Sequence, residues 1–288
     1  MRYAILAISL FSALDLPAQP TRTVLDRKTG LPVSYATVRI LKTVKGTIAS
    51  GKGEFIIPIE SGDSVLFSCA GYHDLVIAGK NISRTVYLDP EVLELKEVIL
   101  RTGSLKTIKI GNEKRLVRGD IVFSPSPHQQ IHTEFAQKIV LPDPGRTFKL
   151  TKAFIPVKRR NCYGPILVRI YECDSVRDWP GREIFIKRVE GRDIVFQRNA
   201  AVIDIRAANI FFNSRDSFFV SLSWPPGGFY DECRPLVLLS KRSNSQTYLR
   251  LFRNNPFEWD PFAVRFRDNR GSEFRARTFF AVEVEVYE

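Results

Sequence analysis

Apolar and polar positions alternate with a period of two along much of this chain. Ala36, Val38 and Ile40 alternate with Thr37 and Arg39, and the same rhythm returns at Phe55, Ile57 and Ile59 and at Val65, Phe67 and Cys69. That period belongs to strands with one buried face. Glycine-bearing turns separate the runs: Thr29-Gly30, Gly46-Thr47, Gly53-Glu54, Gly62-Asp63 and Gly71-Tyr72. Thr29-Gly30 and Gly62-Asp63 supply positive-φ positions or turns capped by a side chain. Pro32 opens an extended segment that cannot lie in a central ladder. Segments 73–77, 85–88 and 97–101 complete seven or eight short strands in roughly eighty residues, the spacing of a small β-sandwich with one core.

Thr102-Gly103-Ser104 reads as a linker. Beyond it the pattern predicts strands at 105–110, 135–141, 147–157, 166–173, 183–189, 194–205, 218–224, 236–240, 248–252, 263–266 and 278–287. Ser124-Pro125-Ser126-Pro127-His128 reads as an exposed irregular loop, and Pro180-Gly181, after Asp178-Trp179, as a β turn. No segment holds a helical period over about ten residues. Antiparallel strands broken by turns predict a second, larger sandwich of jelly-roll type. The expected fold class is therefore all-β, with a sandwich at 19–102 followed by a jelly-roll-like sandwich at 103–288.

The first residues carry a different pattern. Arg2 gives a short positive start, 3–14 are apolar, and Leu16-Pro17-Ala18 precedes Gln19. This is the pattern of a signal peptide, 1–18, too short to span a bilayer. No cysteine follows the apolar run, which argues against a lipid anchor, and no other stretch reaches about 18 apolar residues. The expectation is a soluble, exported protein, periplasmic or extracellular at the cell surface. Export permits disulfides among Cys69, Cys162, Cys173 and Cys233, whose spacing carries no zinc signature. Cys69 shares a face with Val65 and Phe67 and reads as a small buried hydrophobe. Cys162 and Cys173 bracket one strand, which sets them about 36 Å apart at ~3.3 Å per residue, so any bridge would join Cys233 to one of them.

The succession Asp26-Arg27-Lys28-Thr29-Gly30-Leu31-Pro32-Val33, Ala36-Thr37-Val38-Arg39-Ile40, Gly53-Glu54-Phe55, Gly62-Asp63-Ser64-Val65-Leu66-Phe67-Ser68 and Leu93-Glu94-Leu95-Lys96-Glu97-Val98-Ile99-Leu100 resembles the carboxypeptidase-regulatory-like domain of Bacteroidetes-type exported and outer-membrane proteins. The resemblance covers about 22–101. It implies a transthyretin-like β-sandwich without catalytic residues of its own. The first strand lacks the family's usual glycine, and Ala49-Ser50-Gly51-Lys52-Gly53 replaces the acidic or amide residue often found before the second turn glycine, so no cation site is expected there. In the family this module often precedes the plug and barrel of a TonB-dependent receptor. The residues after Arg101 are too few, and their strands too short, for a large transport barrel. The remainder is similar in rhythm to jelly-roll modules and to carbohydrate-binding sandwiches.

Composition agrees with this picture: 288 residues, 44% hydrophobic and 11% aromatic, suit a globular β protein with sizeable cores. The net charge of +12 is concentrated in arginines of the second half, among them Arg159, Arg160, Arg265, Arg267, Arg270, Arg275 and Arg277. A solvated basic face is the plain reading; attraction to an anionic polymer or a membrane surface is the sharper one. The basic residues follow no nucleic-acid motif, so a nucleic-acid partner is not expected.

Candidate chemistry is sparse. His128 and His132, with Glu134, are the nearest approach to a metal set, but Pro125 and Pro127 oppose the helix that would bring the histidines together, and no metal or cofactor is expected. There is no Gly-x-Ser-x-Gly elbow, and three histidines in all leave little for a triad. Asp231-Glu232 and Glu258 with Asp260 could supply paired carboxylates, as in a glycan- or peptide-processing hydrolase, although neighbouring strand residues face opposite ways. Three aromatic loops stand out: Trp224-Pro225-Pro226-Gly227-Gly228-Phe229-Tyr230, 255–262 around Trp259, and Asp178-Trp179-Pro180-Gly181. If they converge, Trp224, Phe229, Tyr230 and Trp259 would form a carbohydrate-binding rim; otherwise they cap the core. The expected function is a non-catalytic accessory or interaction protein of the cell envelope, its partner an envelope protein or a polysaccharide. Carbohydrate binding is the alternative and hydrolysis a second one.

Overall fold

Asp26 shows how the N-terminal turns are made. Its Oδ1 accepts the backbone N–H groups of Lys28 and Thr29 at 2.7 and 2.8 Å, and Gly30 closes the turn at φ +71°. Gly53, at φ +73°, would place a Cβ 2.5 Å from the Val24 carbonyl oxygen, so only glycine fits there. The structure, a computed structural model, describes residues 19–43, 45–91, 106–111, 121–123, 133–142, 145–158, 164–197, 200–213, 216–225, 236–240, 245–251, 259–261, 264–267, 273–278 and 280–287. The expected signal peptide, the expected closing strand at 97–101, the expected linker and loop at 102–104 and 124–128, Cys162 and Cys233 lie outside the described residues.

These turns join β1 (Arg22–Asp26), β2 (Thr37–Ile40), β3 (Gly46–Ile48), β4 (Glu54–Phe55), β5 (Ser64–Ser68), β6 (Leu75–Ala78) and β7 (Thr85–Leu88). They form a sheet of order β4-β1-β7, with β1 and β7 parallel, and a second of order β3-β2-β5-β6. Val24, Val38, Ile40, Val65, Phe67 and Leu88 meet between the sheets. The alternating apolar positions are buried, Cys69 among them, except Ile59, which is partly buried against the same core. Pro32 makes only an isolated bridge to Leu25, outside the named strands.

The rest of the chain contributes β8 (Lys106–Gly111), β9 (Ile121–Phe123), β10 (Thr133–Val140), β11 (Thr147–Lys158), β12 (Ile166–Asp174), β13 (Trp179–Val189), β14 (Val195–Gln197), β15 (Ala200–Asp204), β16 (Phe211–Asn213), β17 (Ser217–Ser223), β18 (Leu236–Leu239), β19 (Thr247–Leu251), β20 (Asp260–Pro261), β21 (Val264–Arg267), β22 (Glu273–Ala276) and β23 (Ala281–Tyr287). One sheet runs β13-β12-β17-β10-β19-β20. The other runs β14-β15-β11-β18-β9, with β16 and β23 also on β11 and β8 on β23. From β10 onward the chain repeatedly crosses from one sheet to the other. Phe135, Ile139, Val168, Phe218 and Val220 from the first sheet pack on Leu150, Ile155, Ile203 and Val284 from the second. The protein is all-β, and each set of sheets packs as a sandwich.

The six-stranded sheet is a middle layer. In β10, β12 and β17 nearly every residue is buried, whichever way it points. The inner face meets the core just described. The outer face is covered by the N-terminal sandwich, through Tyr35 and Ile48 against Leu167 and Ile186, and by Trp259. Tyr35 reaches across with a left-handed backbone (φ +61°), which is costly for an aromatic residue, and its hydroxyl accepts a 2.7 Å hydrogen bond from Arg188 Nη1.

Two local expectations change. The turn before β13 spans 175–178, and Pro180-Gly181 is strand. Asp178 takes the left-handed position (φ +57°) that ends the turn, and Pro180 pairs with Cys173 on an edge strand, where a missing N–H is tolerated. The expected strand at 194–205 is described as two, β14 and β15, paired antiparallel with each other. Cys69 and Cys173 both carry free thiols.

Candidate functional site

Between the apolar flanks Leu167 and Tyr171, Arg169 points to the outer face of β12 and is entirely buried. A guanidinium out of water requires partners. Its Nη1 donates to Ser223 Oγ at 2.7 Å and lies 3.8 Å from Glu134 Oε1. Its Nε makes a 3.0 Å ion pair with Glu183 Oε2, at an angle too bent for a hydrogen bond. Glu134, on β10, also accepts from Ser221 Oγ at 2.5 Å, Tyr171 Oη at 2.8 Å and Arg250 Nη2 at 2.5 Å. Two carboxylates and two guanidiniums thus share one buried face, with the Tyr171 hydroxyl between them.

The two acids are held differently. Burial opposes ionisation of Glu134, but the Arg250 and Arg169 guanidiniums, with the Ser221 and Arg250 hydrogen bonds, hold its carboxyl below the ordinary carboxylate value. For Glu183 burial outweighs the attraction of Arg169, and its carboxyl is raised. Burial also pushes the Tyr171 phenol well up. Glu183 Oε1 accepts the Ala70 backbone N–H at 3.2 Å, tying this network to the N-terminal sandwich.

Above the network lies a cleft of about 390 Å³ between the two sandwiches. Tyr171, Glu183, Arg250 and Trp259 form its buried floor. Arg39, Tyr72 and Asp74 come from the N-terminal side; Arg177, Trp179 and Arg182 come from the β12–β13 hairpin. Arg182 holds Glu172 through two 3.0 Å bonds and reaches across to Glu91 at 2.7 Å. The hairpin turn is pinned from within: Asp174 accepts the Val176 and Arg177 N–H groups and Trp179 Nε1 at 2.9, 3.2 and 3.3 Å. It is pinned from outside by Lys138 on the Asp178 carboxylate and by Tyr248 Oη on the Asp178 carbonyl at 2.7 Å. The Arg177 guanidinium lies over the Trp179 ring, 4.7 Å from its centroid.

Of the aromatic residues singled out in the sequence, Trp259 lies in the cleft floor, edge-on to Tyr171 at 5.5 Å and under Arg250. Trp224 packs instead against the inner core, edge-on to Phe135 at 6.3 Å. Phe135 and Ala136 face opposite ways on β10, and Trp259 packs with Ala136, so the two tryptophans serve opposite faces of the sheet. Phe229 and Tyr230 lie outside the described residues, as do His128, His132, Asp231, Glu232 and Glu258. Among the described residues no group of three or more His, Cys, Asp or Glu side chains is placed to hold a metal ion. No helix among them is long and apolar enough to cross a membrane.

Sequence reasoning missed the centre of this site. Arg169 and Arg250 each interrupt an apolar strand, and an alternating charge usually marks a solvated face. The signal available was that their same-face neighbours, Leu167 and Tyr171 beside Arg169 and Tyr248 beside Arg250, are large and apolar or aromatic.

No family model matches the chain, and no curated protein matches it. Among solved structures it is similar to a chain in "Structure of infectious bursal disease virus Gt strain", with 11% identity over 93% of this chain and 64% of that one, at a TM-score of 0.23. A chain in the corresponding Gx strain structure gives 11% identity, 96% and 68% coverage, and a TM-score of 0.21. The chain thus spans about two thirds of the length of these neighbours. Scores this low do not describe a shared fold.

Proposed function

We propose that this chain is an exported, non-catalytic binding protein of the cell envelope, built from a carboxypeptidase-regulatory-like sandwich and a larger jelly-roll-like one, with its ligand site in the cleft between them. The observation that carries the reading is the cleft itself: aromatic and charged side chains from both sandwiches line a solvent-open groove over a rigid, hydrogen-bonded floor. Preorganised polar and aromatic groups of this kind suit recognition. The repeated crossing between sheets from β10 onward supports the jelly-roll assignment.

A binding role is favoured over hydrolysis because the two carboxylates of the buried network are differently disposed. Glu183 lines the cleft, whereas Glu134 lies beneath it, wholly buried and saturated by Ser221, Tyr171 and Arg250. A glycosidase needs both carboxyl groups at the substrate. The test is thermal-shift screening of the mature protein against fractionated envelope proteins and polysaccharides, together with activity panels on glycans, esters and peptides. A saturable shift without turnover is the expected result. Turnover abolished by Glu183→Gln would replace this reading with a hydrolase. Sequencing the N-terminus of the secreted protein should give Gln19; an intact Met1 would remove the export assignment.

A further inference from the structure

Among the described residues, two charged side chains in the cleft form no ion pair or hydrogen bond. Among the described residues the Arg177 guanidinium makes no ion pair or hydrogen bond; it lies over the Trp179 ring and acts on the Asp174 carboxylate only through its charge. The Asp74 carboxylate, on the N-terminal wall, likewise makes neither among them. Asp74 feels the positive charges of Arg39 and Arg182 and the negative charge of Glu91. The other charges here are engaged: Asp174 by its own turn, Glu183 by Arg169 and Ala70, Arg182 by Glu172 and Glu91. The gap is thus bounded by a donor-only group on one wall and an acceptor-only group on the other.

We propose that this gap takes a saccharide unit bearing a carboxylate, its acid group on the Arg177 fork and a ring hydroxyl donating to Asp74. This deepens the binding-protein reading above and rests on it. A guanidinium stacked on an indole keeps its edge N–H groups free, and those groups match a carboxylate in bidentate fashion. The stack and the pinned turn fix the fork before ligand arrives, so little side-chain entropy is lost on binding. A uronic acid residue offers what both walls lack, acceptors at one end and hydroxyl donors at the other. An acidic peptide supplies the carboxylate, but its anchors are apolar side chains that need a buried pocket. This cleft presents few aliphatic side chains, Leu66 and Pro180 among its lining.

The experiment is isothermal titration of the mature protein with three probes: a galacturonic acid trisaccharide, the same trisaccharide with its carboxyls reduced to alcohols, and a glutamate-rich peptide. The triuronide should bind, more weakly as salt rises. The reduced form should bind about tenfold or more weakly, the scale of one charge-assisted hydrogen bond. Arg177→Gln should abolish the preference for the acidic sugar. Asp74→Asn should weaken both sugars by a similar factor. Both variants alter exposed side chains, and unchanged melting temperatures will show that the fold is intact. Equal affinity for acidic and reduced sugar, an unaltered preference in Arg177→Gln, tighter binding of the peptide, or no sugar binding at all overturns the inference. A ligand found in the envelope-fraction screen alongside any of these outcomes leaves the broader binding-protein reading standing.

Discussion

The six-stranded sheet has two buried faces made by opposite means. On β10, Phe135 faces inward to an apolar core while its neighbour Glu134 faces outward into a network of charges; on β12, Val168 and Arg169 divide in the same way. Both faces are out of water, but they respond to damage differently. An apolar face degrades by degrees as methylene groups are lost. A buried ion network adds little stability over an apolar replacement, and becomes costly once one member is removed. Arg169 Nη2, buried without a hydrogen bond, adds to that cost. The comparison teaches that the outer face gives position more than stability. Its bonds to Ala70 and its place beneath Tyr35 fix where the N-terminal sandwich sits, and thereby fix the cleft.

The sharpest way to break this comparison is to cut each face at adjacent residues. Phe135→Ala and Glu134→Ala should each cost about 3–5 kcal/mol in urea unfolding, the first by cavity formation and the second by stranding Arg169 and Arg250. A Glu134→Ala loss under about 0.5 kcal/mol, as for an ordinary surface carboxylate, would mean the outer face is solvated. A smaller cut tests the junction: Tyr35→Phe removes the acceptor for Arg188 and should cost about 1 kcal/mol. No change there would detach Tyr35 from the docking argument. Smaller still, Asp89→Asn at the exposed Arg27 pair should lie within about 0.5 kcal/mol of wild type, and its effect should vanish in high salt.

Acidity separates the two buried acids. The folded value of Glu134 is depressed, so its contribution is present above the unfolded value, near 4.5, and is lost as pH falls through the folded value. The folded value of Glu183 is raised, so its contribution is present below 4.5 and is lost as pH rises through the folded value. Glu183→Gln should therefore flatten the fall in stability just above pH 4.5 and leave the more acid limb, which belongs to Glu134, in place. A stability profile identical to wild type would show that Glu183 is not desolvated.

Much of the framework was legible in the sequence because strand alternation reports a buried face directly. The expected segments 147–157, 166–173 and 218–224 lie within a residue or two of β11, β12 and β17. Short strands such as β16 and β22 escaped because three or four residues carry too little alternation. Pro180-Gly181 was misplaced because those residues favour turns locally, whereas an edge strand also accepts proline. The cleft was not legible. It depends on which charged residues are covered by a segment a hundred positions away, as when Ala70 meets Glu183, and a one-dimensional pattern does not record that covering. Trp224 and Trp259 looked equivalent in their loops, and only the pairing of β10 assigns them to opposite faces.

The most direct test is a carbon-detected NMR titration of the side-chain carboxyls of Glu134 and Glu183 in the intact protein. A face buried under the N-terminal sandwich and threaded by Arg169 and Arg250 requires Glu183 to titrate above the ordinary value of 4.5 and Glu134 below it. If both carboxyls titrate together near 4.5, the outer face is open to water, the two sandwiches are not docked as described, and the cleft between them is not a site.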